Sequence, residues 1–370
     1  MKSGFKILDS DMHLREPADL WEKYMEPEWR DRAPKILSST ARSSAMVMIE
    51  GEILQGYQPS YRGGIFDATR IDQQIADFRA RGFDARTQLE AMDREGLDVA
   101  ALYPSIGLGI MMRNDMEPKL SAAIARAYNN WLHDFCQADP KRLKGVAMLP
   151  LHDPSEAVKE LQRAVGKLGF IGAFARPEPL RNLPWHSRYF DTLWSALEET
   201  SVPLGFHSAT AAGEVAQIGD RFEGNLLLRH VVSHPMENMM ALVDTIGGGV
   251  CERHPKLKLA FLECYCGWVS FLLHRLDNAM AKGRFPTAGK LKPSEYFQRQ
   301  CWISTEHEKE LPMIIELIGD DKIVFSTDYP HGDSDFPEGV EEFLAMKGVS
   351  NESRKKILWD NCARLYGMNP

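Results

Sequence analysis

The chain has 370 residues, 44% of them hydrophobic, and a net charge of -8. That is ample for one large core. An acidic balance without a basic stripe excludes nucleic acid and anionic membrane as natural partners, leaving a small-molecule substrate as the expected one. No apolar run approaches the ~18–20 residues of a membrane helix, and the charged stretch Met1–Asp11 does not read as a signal peptide. The six cysteines, at 136, 251, 264, 266, 301 and 362, form no C-x-x-C pair. They are expected as reduced thiols in a cytoplasmic protein.

Short apolar runs alternate with longer helical patterns from end to end, the rhythm of a parallel sheet covered by helices. Strands are expected at Phe5–Asp11, Leu97–Tyr103, Leu143–Leu151, Phe170–Ala175, Val202–His207, Lys258–Glu263, Cys301–Thr305 and Lys322–Thr327. Between the first two lies Pro17–Thr87, longer than one helix, in which Met46–Gly56 reads as a hairpin turning at Glu50–Gly51. This insertion leaves the C-terminal end of strand one, so it is expected either as a lid or as packing on a neighbouring subunit. A helix over Pro118–Ala138 places Leu120, Ile124, Tyr128, Trp131 and Phe135 on one face. Another, Pro154–Leu168, starts after the N-cap Asp153. The last, Ser350–Tyr366, runs from a Ser cap to Gly367. Eight such units predict an α/β fold, a (β/α)8 TIM barrel, as one domain over residues 1–370. The rival open sheet would carry G-x-G-x-x-G after its first strand, and that motif is absent there.

A barrel gathers its C-terminal strand ends at one mouth. The residues arriving there are Asp11 and His13 from strand one, His207 from strand five, and Glu263 from strand six. Strand seven brings Glu306 and His307, and strand eight Asp328 and His331. Alternate strand residues point the same way, so Asp11 and His13 can face one ion. His207 and Asp328 would join them from across the barrel. Singly, each residue reads as a helix cap or a packed imidazole; the joint placement on strands one, five and eight makes the case. Imidazole with carboxylate suits Zn, Mn or Fe better than Mg or Ca.

At these residues the chain resembles the amidohydrolase superfamily, in the amidohydrolase-related branch that includes aminocarboxymuconate semialdehyde decarboxylase and γ-resorcylate decarboxylase. The resemblance runs through Asp9–His13 with Glu16–Pro17, Asp139–Pro140, Gly145–Pro150 and Gly205–His207. It continues through His254–Lys258, Glu263, Ser326–His331 and Asn361–Gly367. It implies that Asp11, His13, His207 and Asp328 bind a divalent metal ion, with Asp328 also moving a proton. It implies a hydrolase or decarboxylase acting on a small, carboxylate-bearing molecule, and a homodimer or higher homo-oligomer. Two departures stand out. Superfamily members with two bridged metals carry a lysine after strand four, where this chain has Arg176. The decarboxylases carry a histidine after strand six, where this chain has Glu263.

Glu263 is open to three roles: a general acid or base, a carboxylate orienting His207, or a ligand, with His307 and His331, to a second metal. The last would make the chain a dinuclear Fe or Mn oxygenase. A barrel that keeps a metal only as a structural element is the non-enzymatic alternative. Arg176 is open to clamping a substrate carboxylate or to pairing with an acid at the rim; Arg15 and Arg62 are weaker versions. His230 and His234 share a helix face without the H-E-x-x-H pattern, and read as structural, as does His186. Cys264 and Cys266 read as buried small hydrophobes rather than as ligands or nucleophiles.

Overall fold

The computed structural model describes residues 1–37, 46–54, 73–210, 215–222, 224–283, 289–306, 308–332 and 334–369. Eight parallel strands among the described residues form a nearly closed barrel: β1 (Leu8–His13), β2 (Val99–Tyr103), β3 (Leu143–Met148), β4 (Gly172–Ala175), β5 (Leu204–His207), β6 (Leu259–Leu262), β7 (Cys301–Thr305) and β8 (Ile323–Phe325). Each pairs with the next in sequence order. All eight expected strands are present, most of them shorter by one to three residues at an end, while β1 runs two residues further than expected, to His13.

Side-chain and backbone hydrogen bonds stitch the seam between β1 and β8. Ser10 Oγ donates to the Phe325 carbonyl at 2.8 Å, and the His13 N–H to the Tyr329 carbonyl at 2.7 Å. Nearly every strand residue is buried, as a sheet covered on both faces requires.

The covering helices include α1 (Ala85–Glu95), α2 (Pro118–Cys136), α3 (Pro154–Leu168), α4 (Asp191–Thr200), α5 (Leu226–Leu242), α6 (Val269–Ala281) and α7 (Leu311–Ile318). Asp153 caps α3 by accepting from the N–H groups of Ser155 and Glu156, and Gly169 ends it in the left-handed region at φ 72°. The last expected helix carries a π-helical turn at Lys356–Asp360 between two α-helical turns, with Ser350 capping its start.

Within the insertion, Met46–Ile49 and Glu52–Leu54 pair antiparallel, and Lys35–Leu37 adds a third strand. The turn residues Glu50 and Gly51 both have positive φ, 52° and 84°, which matches the right-handed twist of a two-residue hairpin loop. Gly56, at the end of the expected hairpin, lies outside the described residues. Val47, Ile49 and Leu54 belong to the same apolar core as the barrel. Among the described residues, no helix is long and apolar enough to cross a membrane.

Candidate metal centre

Two structural devices in β1 and β5 shape the centre. The register of β1 against β2 slips between Asp9 and Met12, inserting one extra residue and re-aiming the strand end. In β5, a Cβ on Gly205 would lie 2.5 Å from the Tyr103 hydroxyl oxygen. Glycine there makes room for Tyr103, whose ring stacks beneath His207 at 5.9 Å between centroids. The Tyr103 hydroxyl meets that of Tyr366 at 3.0 Å, and Tyr366 donates to the Ser10 carbonyl at 2.6 Å. The floor of the site is thus tied to β1.

The four side chains expected to share an ion do converge. His13 Nε2 lies 3.5 Å from Asp11 Oδ1 and 3.4 Å from Asp328 Oδ1, and His207 Nε2 lies 3.3 Å from Asp11 Oδ2. Glu263 joins them, with Oε2 3.0 Å from His207 Nε2. Ligand atoms of His13, His207, Glu263 and Asp328 all lie within 4.8 Å of one another, and all four residues are buried.

The hydrogen bonding decides what this group can hold. His13 Nδ1 faces the Pro104 carbonyl at 2.7 Å, and His207 Nδ1 faces the Ser208 carbonyl at 2.7 Å. A carbonyl only accepts, so both Nδ1 atoms carry the proton and both Nε2 lone pairs point inward. Those two nitrogens stand 2.9 Å apart. Two lone pairs at that distance repel unless a positive charge, a metal ion or a proton on one Nε2, lies between them. Both Asp11 oxygens and Glu263 Oε2 are buried without a hydrogen-bond partner. Asp9, two residues earlier on the same strand, is the control. It is equally buried but accepts from the Thr327 hydroxyl and from the N–H groups of Asp11 and Thr327. Buried carboxylates without donors call for a positive charge, and imidazole with carboxylate fits a divalent cation.

The electrostatics agree. Burial opposes charge on His207, but Asp11 and Glu263 outweigh it and lift the imidazole to about 10. Burial, together with His331 and His207, pushes His13 well below its ordinary value. Burial raises Asp11, while Glu263 is held well below the carboxylate range because His234 and His207 overcome its burial. Without an ion, the cluster draws a proton onto His207 as its counter-charge. Glu263 and Asp328 also hold left-handed backbone, at φ 44° and 54°, a strain that concentrates at working sites.

Around the centre, His331 Nδ1 bonds Asp328 Oδ1 at 2.6 Å and its Nε2 meets Ser105 Oγ at 3.0 Å. Grouping Glu263, His307 and His331 around a second metal is not supported. Glu263 belongs to the first cluster, both His331 nitrogens have partners, and His307 lies outside the described residues.

Arg176 forks onto Glu178 with bonds of 2.9 and 2.7 Å, and donates to the Ala209 carbonyl at 3.0 Å. This pairing with an acid is one of its two expected roles; the substrate clamp is a matter for a bound substrate. Beside it lies an apolar niche lined by Met111, Met112, Leu151, Leu180 and Trp185. Arg15 donates to the Pro330 carbonyl at 3.2 Å. Arg62 lies outside the described residues. His186 sits at the surface against Asp244. Cys264 and Cys266 are buried, and burial pushes both thiols up, which disfavours a nucleophile.

His234, expected as structural, stands beside the centre. It approaches Glu263 Oε1 at 2.8 Å from α5. Its pairing with His230 was the one signal available. Ser105 carried none.

The family model described as Amidohydrolase matches residues 9–368. The chain belongs to the amidohydrolase family. It is 28% identical over 310 residues to a γ-resorcylate decarboxylase of Polaromonas sp., covering 80% of this chain and 92% of that one. An amidohydrolase from Mycobacterium avium subsp. paratuberculosis superposes with a TM-score of 0.78 at 25% identity, over 98% of this chain and 100% of that one. A dihydroxybenzoic acid decarboxylase from Polaromonas sp., solved with manganese and the inhibitor 2-nitroresorcinol, gives 0.69 at 20% identity, over 99% and 98%. This chain is therefore an amidohydrolase-type enzyme, and the oxygenase alternative finds no support among these relatives.

Proposed function

We propose that the protein is a metal-dependent decarboxylase of a small carboxylate-bearing molecule, with manganese as its ion. The observation carrying this reading is the opposition of His13 Nε2 and His207 Nε2 at 2.9 Å, each with its Nδ1 committed to a carbonyl. Asp11, His13, His207 and Asp328 would hold the ion. When bound, it would supply a Lewis acid that draws charge from the substrate's oxygens. The likeness to the Polaromonas decarboxylase favours carbon–carboxylate cleavage over hydrolysis.

Asp328 is assigned the proton. Both Glu263 oxygens face imidazoles, whereas Asp328 is bonded to His331, whose side chain is 20% exposed and borders the mouth. Asp328 delivers its proton to the carbon that bears the carboxylate. The bond to the carboxylate then breaks, its electron pair stays with that carbon framework, and CO2 leaves. The Tyr103 ring and the seam to β1 close the floor against water.

The test is release of labelled CO2 from carboxyl-labelled 2,6-dihydroxybenzoate and related hydroxy- and amino-carboxylates by the manganese-loaded protein. Asp328→Asn should lower that rate about 10³-fold with the melting temperature preserved. Wild-type turnover in Asp328→Asn, or hydrolysis of amides with no CO2 release, defeats the assignment.

The same reading makes the protein a cytoplasmic homo-oligomer, in keeping with its six unpaired, buried thiols. Segment 17–87 is assigned to the lid or to a subunit contact. The exposed Leu227, Val231, Met236 and Met240 on α5 offer a second contact surface.

A further inference from the structure

Glu263 stands at the edge of the centre with its two oxygens in different surroundings. Oε2 faces His207 at 3.0 Å and has no hydrogen-bond donor. Oε1 lies 2.8 Å from His234 Nδ1, and the same nitrogen is 3.3 Å from the Glu263 carbonyl. His234 belongs to α5, outside the barrel wall, yet it and Glu263 are 7% and 8% exposed. Nδ1 is thus shared between the Glu263 backbone carbonyl and the nearer carboxylate oxygen, which the left-handed turn after β6 presents to the centre.

The attachment is braced at both ends. His234 Nε2 meets the Thr210 hydroxyl at 3.1 Å, and that hydroxyl also meets His230 Nδ1 at 3.0 Å. With the Nδ1 proton given to Glu263, Nε2 is left to accept from Thr210, which selects one tautomer. Behind it, the fully buried Asn238 donates to the His234 carbonyl at 3.0 Å and to the Leu262 carbonyl at 3.3 Å, stapling α5 to the end of β6.

We propose that His234 is a positioning residue: it holds Oε1 of Glu263 from helix α5, so that Oε2 alone is presented to the centre. A glutamate side chain left to rotate about its single bonds would otherwise lose that aim, and immobilising it has an entropic cost that His234 meets in advance. The inference rests on the metal reading of the site but not on the decarboxylation assigned to it.

The experiment is calorimetric titration of the metal-free full chain with Mn²⁺ alone. His234→Ala should weaken binding about 10-fold or more, the scale of losing a partner behind a metal-facing carboxylate. His234→Asn keeps an N–H near the place of Nδ1 and should bind as the unmodified chain does. His234→Gln, whose amide reaches past that place, should not. This pair keeps the test intact if His234→Ala fails to fold. In a Glu263→Ala background the change at 234 should have no further effect, because the residue acts through Glu263. Unchanged affinity in His234→Ala, equal affinity in the Asn and Gln variants, or an undiminished loss in the Glu263→Ala background overturns the role. A chain that binds no Mn²⁺ even unmodified refutes the metal reading itself, a different result from any of these.

Discussion

Two buried charged clusters sit within one residue of each other at the barrel mouth, and they are built on opposite terms. Arg176 and Glu178 are 2% and 0% exposed and complete each other. Glu178 also accepts from Ser208 Oγ at 3.0 Å and from Gln217, and Arg176 overcomes its burial to hold it below the usual carboxylate range. His207, adjacent to Ser208, begins the other cluster, where three carboxylates crowd two inward-facing lone pairs and several oxygens lack donors. The first cluster is a finished ion pair and serves the scaffold. The second is finished only by something the chain does not contain. Burial is alike in both; the balance of charge and the inventory of donors separate them.

The comparison breaks if the two clusters answer alike to mutation. The largest effect expected is on the self-sufficient pair. Glu178→Ala leaves a buried guanidinium unpaired and should destabilise the fold by about 3–5 kcal/mol, while the folded fraction keeps its Mn²⁺ affinity. Chemical denaturation and metal titration on one preparation read both. Asp11→Asn should do the reverse. Removing one charge from a crowd without donors leaves the metal-free fold as stable as before or more so. Loss of a ligand should weaken Mn²⁺ binding by about 100-fold, or about 2.7 kcal/mol. If Asp11→Asn unfolds the metal-free chain and spares the affinity, the two clusters have been assigned the wrong way round.

What the sequence could show of this follows the range of the interactions. The eight strands were legible because each is a local apolar run. Asp11, His13 and His207 were legible because strand periodicity and a strand end are local geometry too. Glu263 was found by position, but its partner His234 lies 29 residues earlier on a helix. Its closeness depends on how α5 tilts against β6, which no spacing encodes. Arg176 was found as well. Its pairing with Glu178 was hidden because the chain between them is neither strand nor helix, so no period says which way Glu178 turns. The left-handed backbone at Asp328 belongs to the same class: it lies beside the seam of β1 with β8, which closes only when residues more than three hundred apart meet.

A third buried carboxylate sharpens the contrast, with the smallest expected effect. Glu95 ends α1 and is 1% exposed. Its Oε1 accepts from the Val340 N–H at 2.6 Å, and its Oε2 has no partner. It has neither an arginine fork, as Glu178 has, nor facing imidazoles, as Asp11 has. Burial therefore lifts its carboxyl to about 7, from an ordinary 4.5. The sign follows from proton counting. Between about pH 4.5 and 7 the folded chain holds a proton that the unfolded chain has released, so stability falls as pH rises through that window and the loss is complete above it. Between pH 5 and pH 8 the loss is about 2.5 kcal/mol. Glu95→Gln keeps the acceptor for Val340 and removes the charge, so its stability by chemical denaturation should decline less from pH 5 to pH 8 than the parent's, the remaining decline coming from Asp9 and Glu237, which burial also lifts to about 7. A parent whose stability rises across that range would mean that Glu95 is ionised in the fold and has found a cation, and lack of donors would no longer distinguish the metal centre from other buried acids in this barrel.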